Sequence, residues 1–212
     1  MKILIILVAA LVLLAITAMA VFVFVVQNVE TPEYRVVERD EPFEIRDYPP
    51  LVVAEVTRKG DRQTALSAGF SPLAGYIFAK EREGDRVAMT APVTQQPAER
   101  IAMTAPVTQS STEPGEWSVR FIMPARYDLA SLPAPARGDV RLEQIPARRT
   151  AVVRFSGRTT DTLIGEQERA LRDWIAARGL QSVGEPVYAY YNDPFTPGFL
   201  RRNEVMIELA QD

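Results

Sequence analysis

The chain has 212 residues with 24 basic and 27 acidic side chains, a formal net charge of −3. That length suits one ordinary domain with a real core after an N-terminal segment is set aside. With neither cysteine nor histidine, it cannot hold a disulfide framework, a thiolate metal site, covalently attached heme or the usual catalytic triads. The mild acidic balance also lacks the basic stripe of a nucleic-acid reader.

From residue 3 to residue 26 every position except Thr17 is apolar or alanine. At about 1.5 Å per residue this is roughly 36 Å of helix, enough to span a bilayer. The run is longer than a signal-peptide core, so it predicts an uncleaved anchor despite the small-x-small spelling Ala18-Met19-Ala20. Lys2 precedes it and Glu30 and Glu33 follow, which predicts a cytoplasmic N-terminus and a domain on the outer side, periplasmic or extracellular.

Residues 28–33 form a short linker. Residues 34–39 and 43–48 read as strands, and two prolines at 49 and 50 lead into a valine-rich strand over 51–57. A helix is expected from about Gly60 to Ala79, with Ala65, Leu66, Phe70, Leu73, Ile77 and Phe78 on its apolar face. Pro72 predicts either a kink or a second helix starting there.

The segment over 86–109 spells one decapeptide twice, Arg-Val-Ala-Met-Thr-Ala-Pro-Val-Thr-Gln and Arg-Ile-Ala-Met-Thr-Ala-Pro-Val-Thr-Gln. Alternation puts Val87, Met89, Ala91 and Val93, and likewise Ile101, Met103, Ala105 and Val107, on one face of a strand. Pro92 and Pro106 predict a strand end, edge or bulge. One copy is expected inside the sheet and the other as an arm or edge.

Strands follow over 117–123, 140–145 and 150–156, then a helix over 161–178 ended by Gly179, then strands over 187–191 and 205–209. The order repeats: strands, one helix, two further strands. This predicts an internally duplicated α+β domain over 34–212, with halves at about 34–127 and 138–210, preceded by an anchor at 1–27.

The doubled octet resembles the signature of the SOUL heme-binding family. Further markers are Arg46-Asp47-Tyr48-Pro49, Phe70-x-x-Leu73-Ala74-x-Tyr76-Ile77, Phe121-Ile122-Met123-Pro124 and Phe199 through Val205. The likeness covers nearly all of 31–209 and omits the apolar N-terminal run. It implies a distorted eight-stranded antiparallel barrel, or pair of sheets, flanked by two helices. It also implies noncovalent binding of heme or a related tetrapyrrole at an apolar groove beside the first helix, as carrier, buffer or sensor. The groove would be walled by Phe70, Leu73, Tyr76 and Ile77.

Met89 and Met103 offer either thioethers to iron or core filling, and core is the commoner use. Tyr76 offers either a phenolate or packing. Arg62, Arg86 and Arg100 offer guanidinium groups to propionate carboxylates. No histidine is present to ligate iron, so no metal ligand is assigned and the chain is read as a binder rather than an enzyme. The alternatives are an extracytoplasmic protein-interaction module and a carboxylate-based hydrolase or dechelatase.

Overall fold

The computed structural model describes residues 2–27, 29–80, 84–97, 115–193 and 195–210. Helix α1 (Lys2–Gln27) leads the chain. Its described side chains, among them Ile3, Leu4, Leu7, Leu11 and Leu14, are exposed all round. Among the described residues no helix is long and apolar enough to cross a membrane. Of the span expected over residues 3–26, the side chains beyond Thr17 lie outside the described residues.

Nine strands follow among the described residues: β1 (Arg35–Asp40), β2 (Phe43–Tyr48), β3 (Leu51–Lys59), β4 (Val93–Pro97), β5 (Glu116–Ile122), β6 (Arg141–Ile145), β7 (Arg148–Phe155), β8 (Ser182–Tyr190) and β9 (Asn203–Leu209). Helix α2 (Arg62–Ile77) lies between β3 and β4, and helix α3 (Asp161–Ala177) between β7 and β8. All strands join one antiparallel sheet in the order β1-β2-β7-β9-β8-β4-β5-β3-β6.

The expected eight-stranded barrel is therefore corrected to an open nine-stranded sheet. The ninth strand is β1, which folds back on β2 across Glu41-Pro42 and forms one edge. The other edge is β6, joined to β7 through only Pro146 and Ala147 without pairing to it. A proline at that corner has no N–H to contribute to a closing ladder. With β1 set aside, the order reads the same from either end when β2, β3, β4 and β5 are exchanged for β6, β7, β8 and β9. The centre is the β4–β8 pair, where Val93 faces Tyr190 and Gln95 faces Tyr188.

Strand register sorts the side chains onto two faces. One carries Ile45, Ala54, Val56, Val119, Phe121, Ala151, Val153, Val205 and Ile207, all buried. Both helices lie on this face: Leu73, Tyr76 and Ile77 of α2 join one core cluster, and Ile164, Leu171, Trp174 and Ile175 of α3 join another. The second helix starts at a cap in which Thr160 accepts from the Leu163 N–H. Asp61 caps α2 in the same way through Thr64.

Helix α2 is unbroken through Pro72. Proline cannot donate to the carbonyl four residues back, and that acceptor, Ala68 O, receives Arg58 Nε at 3.3 Å instead. Gly69 lets this helix approach the sheet closely. A Cβ there would lie 2.7 Å from Val119 Cβ.

The first copy of the repeated decapeptide is a ladder strand only from Val93 onward. Before that, residues 85–89 lie outside regular structure, and Thr90 makes an isolated bridge to Glu30. Val87 and Ala91 are nonetheless buried and Met89 packs against the α2 cluster. The strand expected over the whole octet is thus half replaced by an irregular segment, held by Thr90 Oγ1 donating to Ile122 O and by Ala91 N–H donating to Glu30 O. The second copy, with Arg100 and Met103, lies outside the described residues.

Candidate functional site

Helix α2 presents three kinds of surface. Leu73 and Ile77 are fully buried against the sheet. Tyr76 is 4% exposed, and its hydroxyl donates to Pro133 O at 2.8 Å. Phe70 and Phe78 stand about 40% exposed at the helix edge, roughly 12 Å apart along the axis at about 1.5 Å per residue. Phe70 meets Phe121 edge-on with ring centroids 5.2 Å apart. Met89 is half-buried beside the same cluster, and Arg86 is exposed.

This arrangement separates the residues expected at a groove. Leu73, Ile77 and Tyr76 are core, with Tyr76 tied down at its polar end. Phe70, Met89 and Arg86 remain accessible in whole or part. Phe78, which belonged to the expected apolar face but not to the groove residues, is now the second exposed aromatic ring. Periodicity could place it on the apolar face, but it could not show that the helix ends before burying it.

Arg62 plays a different part from the one expected. It is 5% exposed, and its guanidinium donates to Asp161 Oδ1 at 2.8 Å, Tyr190 Oη at 2.7 Å and Thr159 O at 2.6 Å. Its own carbonyl accepts from Gln95 Nε2. This knot ties the N-terminus of α2 to that of α3 across the central β4–β8 pair. Burial pushes the Tyr190 phenol up to about 12, opposed by the adjacent Arg62 charge. A guanidinium so engaged is a strut between the helices, and the reading of Arg62 as a partner for a ligand carboxylate is corrected accordingly.

The opposite face of the sheet carries charge. Arg46 and Glu204, 1% or less exposed at the side chain, form a bidentate pair at 2.9 and 3.1 Å. Tyr191 and Arg202 also donate to Glu204, Arg46 donates to Tyr48 and Glu44, and Tyr34 lies 4.3 Å beneath the Arg46 guanidinium. Burial alone would raise the Glu204 carboxyl, but the charges of Arg46 and Arg202 outweigh it and hold the group below the usual glutamate range. Every member has a partner, which marks a structural network rather than a reactive one.

Beside that network are two hollows. One, of about 670 Å³, is lined by Arg120, Ile145, Arg148, Thr150, Val187 and Met206 among others. The other, of about 810 Å³, lies toward the β1–β2 edge and shares Arg148 with the first and Tyr48 with the network, but Ile45, Leu180 and Leu209 open it to the helix-covered side. The alternating Arg148, Thr150 and Val152 of β7 could have been read from sequence as one face of a strand, but which face lacks a helix could not.

Among the described residues no group of three or more acidic side chains is placed to hold a metal ion. Tyr76 and Met89 are the two side chains weighed for iron that fall among the described residues in or beside α2. The first has its hydroxyl engaged with a backbone carbonyl and the second is a half-buried core side chain, so iron ligation is poorly served while the exposed rings suit a flat apolar face.

Mouse heme-binding protein 2 is 27% identical over 195 residues, covering 85% of this chain and 86% of its own. Among solved structures, the EcmrR C-terminal domain superposes with a TM-score of 0.57 at 14% identity, covering 84% of this chain and 99% of that one. A hydrolase from Listeria innocua gives 0.53 at 13% identity, covering 82% and 94%. At these identities the two solved structures share the fold alone. The family described as SOUL heme-binding protein matches residues 29–208, and with nearly the whole domain inside that match, this chain belongs to the SOUL heme-binding protein family.

Proposed function

We propose that the protein binds heme or a related tetrapyrrole noncovalently on the exposed edge of α2, as a carrier, buffer or sensor and not as an enzyme. The observation that carries this reading is the pair of exposed rings, Phe70 and Phe78, on a helix whose inner side is fully buried, in a chain of a heme-binding family. Phe70 and Phe78 would lie against the macrocycle with Met89 beside them, and Arg86 would meet a propionate. Arg100 would be a second propionate partner, and Met103, like Met89, would serve as apolar filling rather than as a ligand to iron. Heme would contribute its iron, but the fold of this chain does not lean on it.

Burying 300 to 500 Å² of macrocycle is worth on the order of 10 kcal/mol at about 25 cal/mol/Å² before ordering costs. Micromolar affinity follows without an axial ligand. The domain hangs from α1, whose 26 residues at about 1.5 Å each give roughly 39 Å, a bilayer's thickness. Lys2 keeps the N-terminus cytoplasmic and the domain outside, after a linker at 28–33. The palindromic strand order supports a duplicated domain over 34–212.

The test is titration of the full-length chain in lipid nanodiscs with hemin and with metal-free protoporphyrin. The expected dissociation constants agree within about tenfold. A preference for hemin of about a hundredfold or more, lost in Met89→Leu or Tyr76→Phe, would overturn face-and-carboxylate binding. No saturable binding of either would overturn the function.

A further inference from the structure

The face opposite α2 and α3 holds two polar groups that the described residues leave unmet. Thr150 is 2% exposed, and its Oγ1 is a buried side-chain oxygen with no hydrogen-bond partner among the described residues. Two positions earlier on the same strand and the same face, Arg148 is half-buried and has neither a hydrogen bond nor an ion pair from its side chain among the described residues. Both line the cavity of about 670 Å³. A buried donor without an acceptor costs on the order of 1–3 kcal/mol and a charged one more. A buried hydroxyl and a half-buried guanidinium, side by side and both unmet among the described residues, are the donors that an anionic oxygen group would satisfy.

We propose that this cavity is a binding site for a small monocarboxylate with an apolar body, its carboxylate held between the Arg148 guanidinium and the Thr150 hydroxyl. The fork of an arginine matches the two oxygens of a carboxylate. Ile145, Val187 and Met206 supply apolar walls for the rest of the molecule. The volume lies within the range of ordinary small-molecule sites, about 300–1,000 Å³.

The surrounding charges select a single negative charge. Arg120 also lines the cavity, but its guanidinium is spent on Glu55. Glu143, Glu185 and Glu208 line it too. Arg148 is the lining guanidinium left without an ion pair among the described residues, and the three carboxylates repel added negative charge, so a monoanion on that fork meets far less repulsion than a dianion or polyanion. Burial pushes the Arg148 guanidinium below its ordinary value, the Glu208 charge offsets this only in part, and a carboxylate hydrogen-bonded to the fork would offset it further. The site is on the face opposite α2, so it is separate from the proposed tetrapyrrole surface.

The experiment is calorimetric titration of the full-length chain in zwitterionic lipid nanodiscs with octanoate, subtracting the heat of empty nanodiscs. Saturable binding near one per chain is expected. Arg148→Gln should weaken it by about tenfold or more, and Thr150→Val by roughly fivefold. The latter should leave the unfolding midpoint unchanged or raised, since it removes an orphan hydroxyl. Octyl phosphate should bind at least about tenfold more weakly and octanol without saturation. Saturating protoporphyrin should leave octanoate binding unchanged.

Absent octanoate binding, or equal affinity in the wild type and both variants, overturns the site. Octyl phosphate binding more tightly than octanoate overturns the monoanion assignment. Displacement by protoporphyrin overturns its separateness from the α2 surface. The hemin titration reads independently of all of these.

Discussion

The two faces of the sheet solve the same problem by different chemistry. On the helix-covered face, Ala54, Val56, Val119 and Phe121 under α2, and Ala151, Val153, Val205 and Ile207 under α3, bury apolar surface against a helix. On the other face, with no helix of the described residues packed on it, burial falls to a small cluster of Tyr48, Val152, Ala189 and Met206 and to the long side chains themselves. Arg46 and Glu204 there reach 1% exposure or less only because they satisfy each other and, two apiece, Glu44, Tyr48, Tyr191 and Arg202. The comparison teaches that the apolar face fixes the fold while the charged face is free to be specific. Where its pairing is complete it is a brace, and where it is incomplete, at Arg148 and Thr150, it is open to a ligand.

The largest expected effect breaks the brace. Glu204→Gln removes the charge that Arg46 and Arg202 share, leaving the buried Arg46 with only the part-buried Glu44 as a counter-charge, and should cost about 3–5 kcal/mol in urea unfolding. The paired change Arg46→Met with Glu204→Leu removes both charges and should recover most of that loss. A double variant no more stable than the single would show that the pair is not what buries this face.

A smaller effect tests the apolar face. Gly69→Ala places a Cβ 2.7 Å from Val119 Cβ, so α2 must lift or the strand must shift, at about 1–3 kcal/mol. Adding Val119→Ala should restore part of the loss, because the clash is with that side chain and not with backbone. If Gly69→Ala is neutral in thermal melts, α2 is less closely seated than the helix-covered face requires.

Much of this division was legible in the sequence and part was not. Strand alternation fixed which residues share a face, as in Ala151 and Val153 against Thr150 and Val152. The proline pair at 49–50 and Pro146 marked the corners between strands. Pro72, which signals a break in an isolated helix, did not break α2, because Arg58 from β3 supplies the donor that proline lacks. That partner is distant in sequence, and no local rule finds it.

The candidate site was less legible for a related reason. Arg62 and Tyr76 have the chemistry of a ligand site, but each is bound to a remote group, Asp161 and Tyr190 in one case and Pro133 in the other. Strand β1 was read as a strand, yet its place as a ninth member at an open edge depends on its register against β2. The doubled octet identified the family, while only tertiary packing decided where its first copy becomes a ladder strand.

The smallest effect sharpens the contrast between buried and exposed charge. Asp47, near the end of β2, accepts from Arg149 at 2.7 and 3.1 Å and from Arg35 at 2.6 Å, but Arg35 and Arg149 are largely open to water. The hydrogen bond from Arg149 and then that from Arg35 lower the Asp47 carboxyl to about 2, burial opposing them only partly. A carboxyl lowered in the folded state from an unfolded value of about 3.9 stabilises the fold fully above about pH 4. That contribution is lost as pH falls through about 2. Water and salt screen exposed pairs, so Asp47→Asn should cost only about 0.2–1 kcal/mol at pH 7, and the gap from wild type should close by about pH 2. Glu204→Gln at pH 7 should exceed it severalfold. A cost above about 2 kcal/mol for Asp47→Asn, or a gap that persists at pH 2, would mean that Asp47 acts by packing rather than by charge, and that the rim of the helix-covered face is not the screened surface its exposure indicates.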